Sequence, residues 1–273
     1  MNENLINIRV WGDFACFTRP EMKVERVSYP IMTPSAARGV LEAIFWKPEM
    51  FYLIAAIRVA KKGVWSSFRR NEITKRISLS QAKSAMQGTG EISTVEAGGG
   101  AQDATQRNML ALCDVEYIVS AEIRLSEIGR RGGNVLLKYT EEAKRRIRSG
   151  KCFHRPALGV REFSADFDLV ESLEDFAPEM NWTEDLGLML YDVFEPQERA
   201  AGFKFIHDAD FADAQTPDLS PTAKKPRAKE NQVLTDGVLV KPSASFFRAE
   251  IKNSVMDCHP ERVSIIHRNG GAN

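Results

Sequence analysis

No uninterrupted apolar run of the roughly 18 residues that a membrane helix requires occurs in this chain, which excludes a helical span. Its first residues, MNENLINIRVWGDF, lack a basic start followed by an apolar block, so no secretory signal is expected and the cytoplasm is the expected compartment. Cysteine is scarce: Cys16, Cys113, Cys152 and Cys258 lie far apart and form no CxxC pair, which argues against a zinc knuckle or a redox motif. Histidine is equally scarce (His154, His207, His259 and His267), so no metal site and no cofactor is expected. A P-loop, a GxGxxG turn, an HExxH pair and a GxSxG elbow are all missing, and with them the common signatures of nucleotide, dinucleotide, zincin and hydrolase sites. The aromatic strand signature of a standard RNA-recognition module is absent as well.

What is present is an ordinary globular composition, 43% hydrophobic and 27% charged, in 273 residues, enough for one large domain or two modest ones with a real core. The 37 basic and 37 acidic residues cancel, but they are not mixed evenly. Residues 130–155 hold nine Lys/Arg and two Glu, whereas residues 164–198 hold eleven Asp/Glu and no Lys or Arg. A zero net charge therefore conceals a strong polarity along the chain.

Hydrophobic periodicity predicts strands at residues 5–14, 51–60, 114–125 and 158–170, where apolar residues alternate or form short bounded runs. Residues 64–73 read as part of a hairpin, and the polar, Gly-rich stretch 74–105 as a mobile loop. Thr33 and Pro34 open a helix whose apolar face is Ala37, Val40, Leu41 and Ile44 and which ends before Pro48. A glycine-rich basic turn is expected at 129–134, and a second helix after Thr140, with Glu141 and Glu142 in its first turn, basic residues at its end and a stop at Gly150. The order is βαββαβ, an α+β, ferredoxin-like arrangement of the RNA-recognition type. It predicts a first domain over residues 1–170 with an arm inserted at about 61–110. Short strand-like pieces at 186–194, 202–206, 238–240 and 245–256 predict a small β-rich domain over 171–258, containing a flexible loop at about 209–232. Residues 259–273 read as a frayed tail.

The basic segment is the candidate binding surface. Arg130, Arg131, Arg145, Arg148, Lys151 and Arg155 fall within one turn and one short helix, where they could bind RNA phosphates. The same pattern also describes a solvated helix whose C-terminal cations satisfy its dipole. Lys138 and Tyr139, placed just before the expected helix cap, could hold a phosphate, or be a surface lysine and a core-edge aromatic. His154, between the basic helix and the next strand, could be a general base or a structural histidine.

Three stretches carry a family likeness: WGDFACFTRPEMKVERVSYPIMTPSAARGVLEAIFWKP from Trp11, TQRNMLALCDVEYIVSAEI from Thr105 and KYTEEAKRRIRSGKCFHRPALGVREF from Lys138. With SFFRAEIKNSVMDC from Ser245 as the closing strand, they resemble the CRISPR-associated subtype I-C "Cas-five" family, also called Dvulg-type. The resemblance implies a ferredoxin-like domain with an inserted β-hairpin arm, a small β-rich C-terminal domain, and metal-independent cleavage of precursor CRISPR RNA within the repeat. It further implies that the protein stays on the 5′ handle of the CRISPR RNA beside the backbone and large subunits of a type I-C surveillance complex. The family's processing trio is a tyrosine in an IYWKP motif, then an adjacent lysine and histidine. By motif, the lysine matches Lys138, the histidine position holds Tyr139 and the tyrosine position holds Phe45. Two departures leave three possibilities: Lys138 and Tyr139 suffice, His154 supplies the missing base, or the chain binds CRISPR RNA as a non-catalytic scaffold.

Overall fold

The computed structural model describes residues 4–74, 78–92, 94–98, 100–175, 178–202, 204–205, 233–235, 238–240 and 242–267. The loop expected at 209–232 lies outside them. In chain order the described elements begin with β1 (Leu5–Ala15), β2 (Arg26–Val27), α1 (Pro34–Ile44), β3 (Met50–Lys61), β4 (Val64–Ile73) and α2 (Leu79–Met86). They continue with β5 (Ala104–Leu125), α3 (Glu127–Arg131), α4 (Leu136–Arg148), β6 (Asp166–Leu169), β7 (Glu184–Asp192) and α5 (Pro196–Ala201). The last are β8 (Lys204–Phe205), β9 (Val233–Thr235), β10 (Val238–Val240), β11 (Ser245–Lys252), β12 (Val255–Asp257) and β13 (Ile265–His267).

The alternation read in the first strand is realised: Ile6, Ile8 and Val10 of β1 are buried, and Arg9 on the other side pairs with Glu116. Around β1 the sheet runs β3–β5–β1–β6, antiparallel at each step, with α1 connecting β1 to β3 by way of one face. α1 packs on β3 and β7, α4 on β1, β5 and β6, and the two helices touch. The core of the molecule lies between this helical layer and the sheet: Leu41, Ile44, Ala143 and Ile147 from the helices meet Ile8, Ile57, Tyr117 and Val119 from the strands. The sheet does not stop at residue 170. β12 pairs with β3, and β11 joins β12, β13 and β7, so the described residues form one ten-stranded sheet beside a separate three-stranded one of β8, β9 and β10.

β5 is 22 residues long, roughly 70 Å at strand rise, and it changes neighbour along its length. Its C-terminal half pairs with β3 as far as Lys61↔Glu116, and its N-terminal half with β4 from Val64↔Cys113 to Ile73↔Ala104. Asp114, at φ 52, marks the break opposite the Lys62–Gly63 turn. β4 and the first half of β5 thus make a hairpin that continues the core ribbon outward.

α1 forms as its sequence predicts: Thr33 Oγ1 accepts from the Ala36 N–H at 3.2 Å, Pro34 stands in the first turn, and the chain turns extended at Phe45. Five expectations need correction. α4 begins at Leu136, not after Thr140; its N-cap, Val135, makes no side-chain cap, and the turn is held instead by Tyr139, Thr140, Ala143 and Ile147 facing the core. The strand expected over 158–170 shrinks to β6, because residues 157–164 fold into a tight loop closed by an Ala157↔Ser164 bridge. At its centre Gly159 has φ +90, and a Cβ there would stand 2.0 Å from the Cys16 carbonyl oxygen. The stretch 74–105 is not all loop: it contains α2, opened by a Ser78–Gln81 capping box, and the start of β5. The turn expected at 129–134 begins as helix α3, capped by the Ser126 hydroxyl. The tail is not frayed as far as His267, since His259 is buried and β13 pairs with β11; residues 268–273 lie outside the described ones.

Candidate nucleic-acid interface

The chain leaving α4 folds back against the end of α1. The Phe153 and His154 N–H groups both donate to the Ala43 carbonyl, at 2.8 and 3.2 Å. Arg146 Nε donates to the Ile44 carbonyl at 3.1 Å, satisfying one of the groups that a helix C-terminus leaves unpaired, and its guanidinium stands 5.9 Å from the Phe45 ring. Two adjoining cavities open here and share Gly39, Ala43 and His154. One, of about 670 Å³, is mixed in polarity and basic, lined by Thr18, Ser35, Arg155, Arg161 and Leu190 among others. The other, of about 730 Å³, carries Phe45, Trp46, Phe153, Lys47 and Arg146. His154 is exposed on the ridge common to both.

Lys138 and Tyr139 lie nearer the N-terminal end of α4 and line neither cavity. Arg146 lies eight residues on from Lys138, about 12 Å along the helix axis. Lys138 is exposed and makes no ion pair among the described residues. Tyr139 is buried, and its hydroxyl donates to Asn134 Oδ1 at 2.9 Å. Burial, with the nearby Glu49 carboxylate adding to it, pushes the phenol above its ordinary value, which disfavours Tyr139 as a base. The Trp46–Lys47–Pro48–Glu49 stretch runs between the two ends, from the aromatic cavity to the neighbourhood of Tyr139. Phe45 is buried, and its carbonyl accepts from the Tyr52 hydroxyl at 2.8 Å.

Of the six basic residues expected to bind phosphates, four are already paired. Arg131 meets Glu127 at 2.9 Å, Arg145 meets Glu142, Arg148 meets Glu171 at 2.6 Å and Arg155 meets Asp166 at 2.5 Å. Arg130 reaches only the Leu125 carbonyl, at 3.3 Å, and Lys151 has no ion pair among the described residues. Glu171 and Asp166 belong to the acidic segment, which thus folds back onto the basic one. Such exposed pairs are weak and readily exchanged for a phosphate.

Sequence reasoning missed a buried charge cluster behind this surface. Arg38 of α1 donates to both oxygens of Asp192 at 2.8 and 2.9 Å, and Arg199 joins Asp192 to Glu42, which also pairs with Arg38. Arg146 was visible only as one more cation in the helix; its place over the end of α1 had no sequence signal. Among the described residues no group of three or more His, Cys, Asp or Glu side chains is placed to hold a metal ion, and no helix is long and apolar enough to cross a membrane.

Comparison with known proteins adds a second line. The sequence model of the family described as CRISPR-associated protein (Cas_Cas5) matches residues 5–259. A protein of Mannheimia succiniciproducens named CRISPR pre-crRNA endoribonuclease Cas5d is 37% identical over 263 residues, 94% of this chain and 96% of its own. A protein of the same name from Thermus thermophilus is 41% identical over 189 residues, 69% of this chain and 72% of its own. Among solved structures, a CRISPR-associated protein superposes with a TM-score of 0.55 at 18% identity, covering 93% of this chain and 90% of its own. A functionally uncharacterized protein from Streptococcus mutans gives 0.53 at 20% identity, over 94% and 93%. Likenesses at that identity show a shared mixed α/β fold with a large antiparallel sheet.

Proposed function

The chain belongs to the Cas5 family of CRISPR-associated proteins, and from that membership we propose that it is an endoribonuclease that cleaves precursor CRISPR RNA within the repeat. The observation that carries this reading is the near-full-length identity with a relative named for that activity. The protein then stays on the 5′ handle as a subunit of a type I-C surveillance complex, beside its backbone and large subunits. The strand order β3–β5–β1–β6 with α1 and α4 as crossovers supports reading residues 1–170 as a ferredoxin-like unit, the β4–β5 hairpin as its inserted arm and residues 171–258 as a smaller β-rich part.

The chemistry we assign is metal-independent. The ribose 2′-hydroxyl attacks the adjacent phosphorus, the bond to the 5′ oxygen breaks, and the products are a 2′,3′-cyclic phosphate and a 5′-hydroxyl. The 2′ proton needs an acceptor, the phosphate a cation and the leaving oxygen a proton. Lys138, exposed and without an ion pair among the described residues, suits the phosphate; His154, exposed beside a basic cavity, suits proton transfer. Tyr139, tied to Asn134, acts by fixing the helix turn that carries Lys138. Because Lys138 and His154 stand toward opposite ends of α4, the RNA strand would have to follow the helix to meet both. Arg130, Arg131, Arg145, Arg148, Lys151 and Arg155 hold the flanking phosphates.

A second reading is favoured by one specific observation: Phe45 has no hydroxyl and Tyr139 has its own engaged, so two positions of the family trio offer no free proton carrier. On that reading the chain is a non-catalytic scaffold capping the handle. Incubating the protein with its own repeat RNA in EDTA separates the two. Cleavage by the wild type is expected, slowed about 100-fold or more in Lys138→Ala and in His154→Ala with circular dichroism unchanged. A wild type that binds the repeat without cutting it leaves the scaffold; cutting indifferent to Lys138→Ala removes Lys138 from the site.

A further inference from the structure

We infer that the aromatic cavity at the end of α1 is a pocket for one unpaired nucleobase of the bound RNA, with Phe153 as its stacking face; this rests on the RNA-processing reading above. Phe153 is 84% exposed, an unusual position for a phenyl ring, yet its backbone is held by the 2.8 Å bond to the Ala43 carbonyl. The ring is therefore offered to solvent from an anchored position. Phe45 and Trp46 contribute the other aromatic walls, and a volume of about 730 Å³ is ample for a base with its ribose.

The charges fit a nucleotide rather than an apolar side chain of a protein. Arg146 and Lys47 line the same cavity, neither in an ion pair among the described residues, and Arg146 is oriented by its bond to the Ile44 carbonyl. They can meet the phosphates on either side of an inserted base. The one carboxylate in the lining, Glu42, has both oxygens engaged, by Arg38 and by Arg199 at 3.0 Å. It is thus not free to read a base edge, and the pocket holds a base by stacking, with little preference among the four.

The test places 2-aminopurine, one position at a time, at the unpaired nucleotides of the repeat RNA; stacking on an aromatic ring quenches its emission. With wild-type protein one position is expected to lose emission severalfold on binding. Phe153→Trp keeps that quench, while Phe153→Leu abolishes it and weakens RNA affinity about tenfold. RNA that is bound and cut, with no position responding to Phe153, overturns the pocket while leaving the endoribonuclease reading intact, and turns this face toward a protein partner. Failure of the wild type to bind repeat RNA at all overturns both.

Discussion

Asp192 is the side chain on which the cavity region most depends. Burial alone pushes its carboxyl up, but Arg38 and Arg199 outweigh burial and hold it below its ordinary value. Its stabilising contribution is therefore complete above the unfolded carboxyl value of about 4 and is lost as pH falls through the lower folded value. Urea unfolding of the wild type between pH 5 and 2 should show that loss, and Asp192→Asn should flatten it. At neutral pH the same substitution leaves two buried guanidiniums short of a counter-charge and is expected to destabilise by about 3–5 kcal/mol. None of this was legible in the sequence: Arg38 and Asp192 are 154 residues apart, and each read as one charge among many. Lys138 and Phe45 were legible, but only through motifs that surround them. That Tyr139 spends its hydroxyl on Asn134 follows from where α4 begins, which no cap residue announced.

At the scale of elements, the sequence is clearest where local chemistry and packing agree. α1 carries its cap, its proline and its apolar stripe in one stretch, and it forms where they predict. α4 and the loop at 157–164 show the opposite case. An apolar face against the core extends α4 by a turn, and a close backbone approach at Gly159 interrupts what alternation alone reads as a strand. The Ser78–Gln81 capping box went unread, because the glycines that follow it made the whole stretch look like a loop. Gly159→Ala would force a methyl group against the Cys16 carbonyl in a backbone region hostile to alanine. A loss of at least about 2 kcal/mol is expected, seen as a lower melting temperature, together with weaker RNA binding, because this loop carries Arg161 into the basic cavity.

Across the whole molecule, charge polarity along the sequence becomes proximity in space. The basic and acidic segments were both legible as composition; their meeting through Arg148–Glu171 and Arg155–Asp166 was not, because it depends on β6 returning beside β1. The acidic segment thus tempers the surface it faces. Replacing Glu171 by Gln should free Arg148, tighten RNA binding at low salt and steepen the logarithmic salt dependence by up to about 0.7. Charge reversal at Arg145 and Arg148 should do the contrary. Affinities measured across a salt series decide it, and an unchanged slope in both variants would remove these residues from the interface.

The long fifth strand has a consequence in time as well as in space. Residues 116–122 are flanked by both β1 and β3, whereas among the described strands residues 104–108 pair with β4 alone. One continuous strand therefore belongs to two units of local opening. Amide hydrogen exchange should be slow over its C-terminal half, limited by global unfolding, and faster by orders of magnitude over its N-terminal end, with the step near Asp114. Uniform protection along all 22 residues would show instead that the hairpin and the core open together.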